Sequence, residues 1–230
     1  MYKLADVPLR RRTWIQIAQL PKARIGWEFE DCSEVTTNDL SKVMLWVKQL
    51  QTGNIIRAEG KKSCGKGLLI SGDPGHGKTT LAAVVIQEIL RTFSPETFVI
   101  EPGRTLIRPC YFITFASLID LKGDTMNKER DDEDEKLYQG IMGTCGDDAY
   151  NVRVLIIDDI GKEHATASGW NKSMLHHVIR TRFDLGLPTI VTTNVPLNAW
   201  DAKYGNATES FAREAFSHLV LESKKGDLRK

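Results

Sequence analysis

The sequence of 230 residues predicts an α/β fold, a mostly parallel sheet covered by helices on both faces. Three observations predict it. Helical stretches alternate with short, near-continuous apolar runs, the pattern of strands buried on both sides. One apolar run empties into a glycine-rich loop that opens directly into a helix. Another ends in two adjacent carboxylates, and in an open α/β sheet such strand ends line the ligand crevice.

The elements follow in order. Residues 1–24 form a basic arm, with Lys3, Arg10, Arg11, Arg12, Lys22 and Arg24 against Asp6 alone. Its Trp14, Ile15, Ile17 and Leu20 fall near helical spacing, which suits either a partner-binding helix or packing on the chain's own core. Residues 36–54 read as a helix. Thr37 can cap it, apolar side chains recur at Leu40, Val43, Met44, Trp46, Val47 and Leu50, and Gly53 ends it. Residues 67–71 are a short strand, followed by the glycine loop and a helix over 78–91. Residues 94–109 make an irregular connection containing Pro and Gly. A strand over 110–115 leads into a helix beginning at 116. Residues 123–149 read as polar and weakly helical, and the acidic run 129–136 as solvated surface. Residues 152–157 form a buried strand, 170–184 a helix, 188–193 a strand, 208–216 a helix and 218–223 a last strand. Crossovers between the parallel strands should be right-handed.

Composition narrows the function classes. With 41% hydrophobic residues the chain suits one globular domain, or a domain with a short appendage. A net charge of +1 excludes a polycation. No apolar run approaches the ~20 residues of a membrane helix. The N-terminal residues lack the apolar stretch of a signal peptide. Cys32, Cys64, Cys110 and Cys145 are widely spaced and contain no C-x-x-C pair, neither a disulfide framework nor a zinc pattern. A cytoplasmic protein without membrane contact is the expectation.

Gly72-Asp73-Pro74-Gly75-His76-Gly77-Lys78-Thr79 fits G-x-x-x-x-G-K-[ST] in full, with Thr80 continuing into the helix. Glycines let several backbone N–H groups point into one concavity, and the helix N-terminus adds positive potential. Lys78 would reach the β- and γ-phosphates of ATP, and the Thr79 hydroxyl would ligate Mg²⁺. His76 occupies a variable place in the loop and carries no assigned role. Asp158 and Asp159 end the strand over 152–157. Asp158 fits an Mg²⁺ carboxylate, and Asp159, on the opposite side if the strand alternates, would polarise the attacking water. Many hydrolysing ATPases carry Glu at this second position, so the shorter Asp159 bears on turnover rate. Asn194 ends the strand over 188–193 and suits a γ-phosphate sensor, with Thr192 and Thr193 as weaker candidates.

Together with "VIRTRFDLGLPTIVTTN" and "SFAREAF…GDLRK", these motifs make the chain from about Ile25 onward resemble the AAA+ helicase loaders of the DnaC/IstB type. The resemblance implies an ATPase core with strand order 5-1-4-3-2. It also implies action in oligomeric rings or spirals, hexamers among them, on single-stranded DNA and a replicative helicase. It gives Arg213 the place of an arginine finger reaching a neighbour's ATP, and Arg229 that of a nucleotide sensor. The other reading of Arg213 is a surface ion pair with Glu209 or Glu214. Lys122 matches a DNA-contacting lysine, and Lys162, with Thr166 and Ser168 nearby, would add phosphate contacts. Only 36 residues follow Asn194, so little or no C-terminal lid is expected. A transposition regulator of the same family is the nearest alternative. A P-loop kinase and a nucleotide-gated binder with negligible hydrolysis stand further off.

Overall fold

The computed structural model describes residues 1–53, 65–94, 105–126, 132–162 and 169–221. Five strands, β1 (Gly67–Ser71), β2 (Cys110–Thr114), β3 (Val154–Ile160), β4 (Thr189–Thr193) and β5 (Phe216–Val220), form one sheet in the order β2-β3-β4-β1-β5. Every neighbouring pair is parallel. Read from the other edge, this is the 5-1-4-3-2 order that the resemblance implied. The helices are α1 (Leu9–Ile17), α2 (Thr37–Gln51), α3 (Lys78–Thr92), α4 (Phe115–Met126), α5 (Asp132–Met142), α6 (Trp170–Asp184), α7 (Trp200–Tyr204) and α8 (Asn206–Ala215).

Strand alternation divides the core in two. Val154 and Ile156 of β3 face a core shared with α1, α2 and α3, whereas Leu155 and Ile157 face one shared with α4 to α8. The sheet is thereby sealed on both sides, and its strand ends are left as the open edge. No helix among the described residues is long and apolar enough to cross a membrane.

Local chemistry explains where the boundaries differ from the sequence reading. Thr36, one residue earlier than expected, caps α2 by accepting the Asp39 N–H. Its buried stripe is Val43, Trp46, Val47 and Leu50, while Met44 lies half in solvent. The stretch read as weakly helical contains α5. Asp132, Glu133, Asp134 and Glu135 crowd its first turn, where carboxylates favour the helix dipole, and Tyr138, Ile141 and Met142 are buried. β5 starts at Phe216, directly after α8.

The basic arm is built into the domain. Trp14, Ile15, Ala18 and Leu20 lie in the core with α2 and α3. Trp14 Nε1 donates to the Leu106 carbonyl at 3.1 Å, and the Phe112 N–H donates to the Ala18 carbonyl at 2.8 Å. Gln87, fully buried in α3, ties the arm down. Its Oε1 accepts from Tyr2 Oη and the Gly26 N–H, and its Nε2 donates to the Arg24 carbonyl. Two of the three consecutive arginines turn inward. Arg11 donates to the Leu90 and Arg91 carbonyls at the end of α3, and Arg12 to the Ala5 and Val7 carbonyls.

Candidate active site

The site begins with a turn that only certain residues make. β1 ends at Ser71, and the chain then takes a positive φ of 150° at Gly72. A Cβ at Gly72 would come within 2.7 Å of the Leu221 carbonyl oxygen, so no side chain fits. Gly77 enters α3 with φ of 79°, a left-handed geometry that costs glycine little. α3 then starts at Lys78, and its N-terminal N–H groups face the loop. Lys78 is buried and folds back, its Nζ donating to the Gly72 and Asp73 carbonyls at 2.7 Å each.

Thr79, in the first turn of α3, meets the acid at the tip of β3. Its hydroxyl lies 3.0 and 3.1 Å from the two carboxylate oxygens of Asp158. Asp158 is buried and also accepts from the Thr192 hydroxyl. Burial raises its pKa, a push that Thr192 counters through its hydrogen bond and that Asp159 reinforces through its charge. A hydroxyl and a carboxylate side by side at a phosphate loop are the hard oxygen donors that Mg²⁺ takes together with phosphate oxygens.

Asp159 departs from the alternation assumed for it. β3 carries one extra residue against β4 between Ile157, paired with Val191, and Ile160, paired with Thr193. The bulge is absorbed at Asp159, whose φ is 60°. Asp is among the few side chains that tolerate this left-handed backbone. The Asp159 N–H donates to Thr192 Oγ1, and its carboxylate accepts from Lys162 Nζ at 2.8 Å. Thr192, weighed in the sequence only as a minor phosphate sensor, therefore organises both acids at once. A hydroxyl in a fully buried strand position needs such a partner, and that is the signal by which it is legible.

Asn194, just beyond β4, lines a cleft of about 610 Å³ together with Gly72, Asp73, His76 and Arg213. The Arg213 guanidinium is more than half exposed and pairs with Glu209 one helical turn back, the second of its two sequence readings. Lys122 stacks its ammonium 4.4 Å above the Tyr138 ring. Lys162 is engaged with Asp159. Arg229, Thr166 and Ser168 lie outside the described residues. The fold thus brings Thr79, Asp158 and Thr192 together, and gathers the outer half of the loop with Asn194 and Arg213. Ser71 and His218, hydrogen-bonded to each other at 2.8 Å beneath the loop, belong to neither sequence motif.

Comparison with known proteins agrees with this geometry. No curated protein sequence matches the chain. The crystal structure of the DnaC helicase loader superposes with a TM-score of 0.58 at 22% identity, covering 88% of this chain and all of that one. DnaI superposes with a TM-score of 0.59 at 18% identity, covering 89% of this chain and 95% of that one. Domain III of the Thermotoga maritima replication initiation protein DnaA gives 0.58 at 15% identity, over 88% and 68%. Residues 68–204 match the model of the ATPase family associated with various cellular activities, a span that holds the phosphate loop, Asp158, Asp159 and Asn194. With the loop, the acids and the parallel sheet in their places, the chain belongs to the AAA family of ATPases.

Proposed function

We propose that the chain is an ATP-dependent helicase loader of DNA replication, acting as an oligomer that binds single-stranded DNA and delivers a replicative helicase. The observation that carries the nucleotide chemistry is the direct contact of Thr79 with Asp158 at the mouth of the phosphate loop. The loader assignment rests on the motif resemblance, with which the DnaC-like and DnaI-like fold is compatible.

In this reading, the N–H groups from Gly75 to Thr80 cradle the phosphates of ATP. Lys78 exchanges two loop carbonyls for phosphate oxygens, trading neutral for charge-assisted hydrogen bonds. Thr79 and Asp158 hold Mg²⁺, which when bound neutralises charge on the phosphate oxygens. Asp159 orients the attacking water and accepts its proton, and Lys162 fixes the carboxylate. Asn194 senses the γ-phosphate from β4. Arg213 leaves Glu209 and reaches the ATP of a neighbouring subunit. An exposed ion pair of this kind is weak, because solvent screens it, so it yields readily to a phosphate. Arg229 adds a second nucleotide contact, and Lys122 a contact to DNA from α4.

The test is ATP turnover by the purified protein across protein concentration, with and without single-stranded DNA. The reading expects a rate per subunit that climbs with concentration and changes with DNA, and Lys78→Ala should abolish nucleotide binding. A rate per subunit that ignores both variables would mark a monomeric NTPase or a kinase.

A further inference from the structure

The phosphate loop is fastened at three points to one short segment, the end of β5. Ser71, the last residue of β1 and the first before the loop, is buried, and its Oγ shares a 2.8 Å hydrogen bond with Nε2 of His218. The Ser71 carbonyl accepts the Leu221 N–H at 2.7 Å. On the far side of the turn, Nδ1 of His76 lies 3.2 Å from the Leu221 carbonyl oxygen. That oxygen is also the atom that excludes any side chain at Gly72. The loop is therefore held between two imidazoles, one on β5 and one in the loop itself. The ATPase motif accounts for neither histidine.

The surroundings of His218 tie this fastening to the rest of the site. It lines the same cleft as Asn194 and Arg213. Partial burial of a ring that still reaches solvent, and then the charge of Arg213, holds its pKa below the usual value, which favours the neutral ring. A neutral imidazole keeps one nitrogen as an acceptor for a hydroxyl. The Ser71 hydroxyl has little water to turn to, so losing its partner leaves a buried polar group unsatisfied within a residue of Gly72.

We infer that His218 is a positioning residue for nucleotide binding: by holding Ser71, with His76 holding Leu221 from the other side, it keeps the phosphate loop in its binding form. The inference rests on the loop being the ATP site. It concerns affinity rather than the chemical step, because neither histidine is placed among the groups proposed to act on the γ-phosphate.

The experiment is equilibrium binding of a fluorescent ATP analogue with Mg²⁺, paired with turnover at saturating ATP. Lys78→Ala serves as the control that the loop is the site. His218→Leu and Ser71→Ala should each weaken binding about fivefold to tenfold, the value of one hydrogen bond of about 1 kcal/mol. Turnover at saturation should hold within about twofold, since uniform binding is what is lost. His218→Gln, whose side-chain amide reaches the place of Nε2, should recover most of the affinity. Ser71→Ala combined with His218→Leu should bind no worse than the weaker single variant, because both remove one bond. Ser71→Ala removes a single oxygen, so it alone decides the matter if His218→Leu fails to fold. Unchanged affinity in Ser71→Ala, no recovery in His218→Gln, or additive losses would each overturn the inference. If Lys78→Ala bound normally, the ATP-site reading itself would fall instead.

Discussion

At the scale of single residues, the site is an arrangement of hydroxyls around a buried charge. Asp158 accepts from Thr79 and Thr192, and Thr192 also receives the Asp159 N–H. The carboxyl is nevertheless disfavoured as an anion, because burial outweighs these bonds. A carboxyl whose folded pKa is raised binds its proton more tightly folded than unfolded. Its charged form therefore opposes folding above the folded pKa, and that opposition vanishes below the ordinary value of 3.8. Asp158→Asn should accordingly melt higher than the wild type at neutral pH, with the gap closing as the pH falls toward 3.8. Phosphate release should drop by at least about a hundredfold, since losing even a partner of a metal ligand costs roughly 10–100-fold. A variant that melted lower at neutral pH would show that the anion is stabilised rather than strained. Thr79 and Asp158 were legible because their places relative to a strand and a loop are fixed by the motif. The orientation of Asp159 was not, because simple alternation has no means of announcing a one-residue bulge.

At the scale of elements, the arm and the edge of the sheet show what apolar spacing leaves open. The spacing of Trp14, Ile15, Ile17 and Leu20 suits a helix face, yet periodicity is silent on whether that face meets a partner or the chain's own core. The deciding residue is Gln87, a fully buried amide that reads in the sequence as an ordinary polar position in a helix. Gln87→Leu would strand the Gly26 N–H and the Arg24 carbonyl beneath α3. A loss of about 2–4 kcal/mol should follow in denaturant melts, with nucleotide affinity unchanged. Undiminished stability would mean that the arm is held by its apolar contacts and its other hydrogen bonds without Gln87. The "RTRF" run has a similar explanation. Arg182 is fully buried, and its guanidinium donates to Thr189 Oγ1 and to the carbonyls of Ile141, Val152, Arg153 and Pro188. Burial lowers its pKa to about 9, which leaves it charged at neutral pH. A motif residue here serves the junction of α5, β3 and β4, where it gathers the carbonyls of several chain ends. β1 to β4 were legible because strands covered on both faces are nearly continuous in apolar residues, whereas β5, with Ser217, His218 and Val220 unburied, was expected at 218–223 and begins at Phe216. α5 was obscured because its four opening acids read as surface, although they favour a helix start.

At the scale of the whole molecule, the proposed finger role of Arg213 has two forms, one across a subunit interface and one within its own chain. The side chain lines a cleft with its own Gly72 and Asp73, yet it is exposed and paired with Glu209 on its own helix. A head-to-tail interface places one face of each subunit against a different face of the next, so a ring whose interface joins the Arg213 face to the neighbour's loop would set every Arg213 beside a foreign phosphate. The two arrangements make opposite forecasts. Lys78→Ala and Arg213→Ala protein should each be nearly silent alone, the first for lack of bound ATP and the second for lack of charge on the transition state. If the arginine acts across the interface, a mixture regains activity wherever an Arg213→Ala subunit binds ATP beside a Lys78→Ala neighbour. In an equal mixture about a quarter of sites meet that condition under random assembly. If the arginine acts within its own chain, every site in the mixture lacks one essential group and mixing restores nothing. The measurement is turnover as the proportion of the two variants is varied at fixed total protein. A curve that peaks near equal proportions and collapses on dilution would establish a site shared between subunits. A flat line at the level of the separate variants would place Arg213 in its own chain's cleft, where the structure of the single chain already holds it.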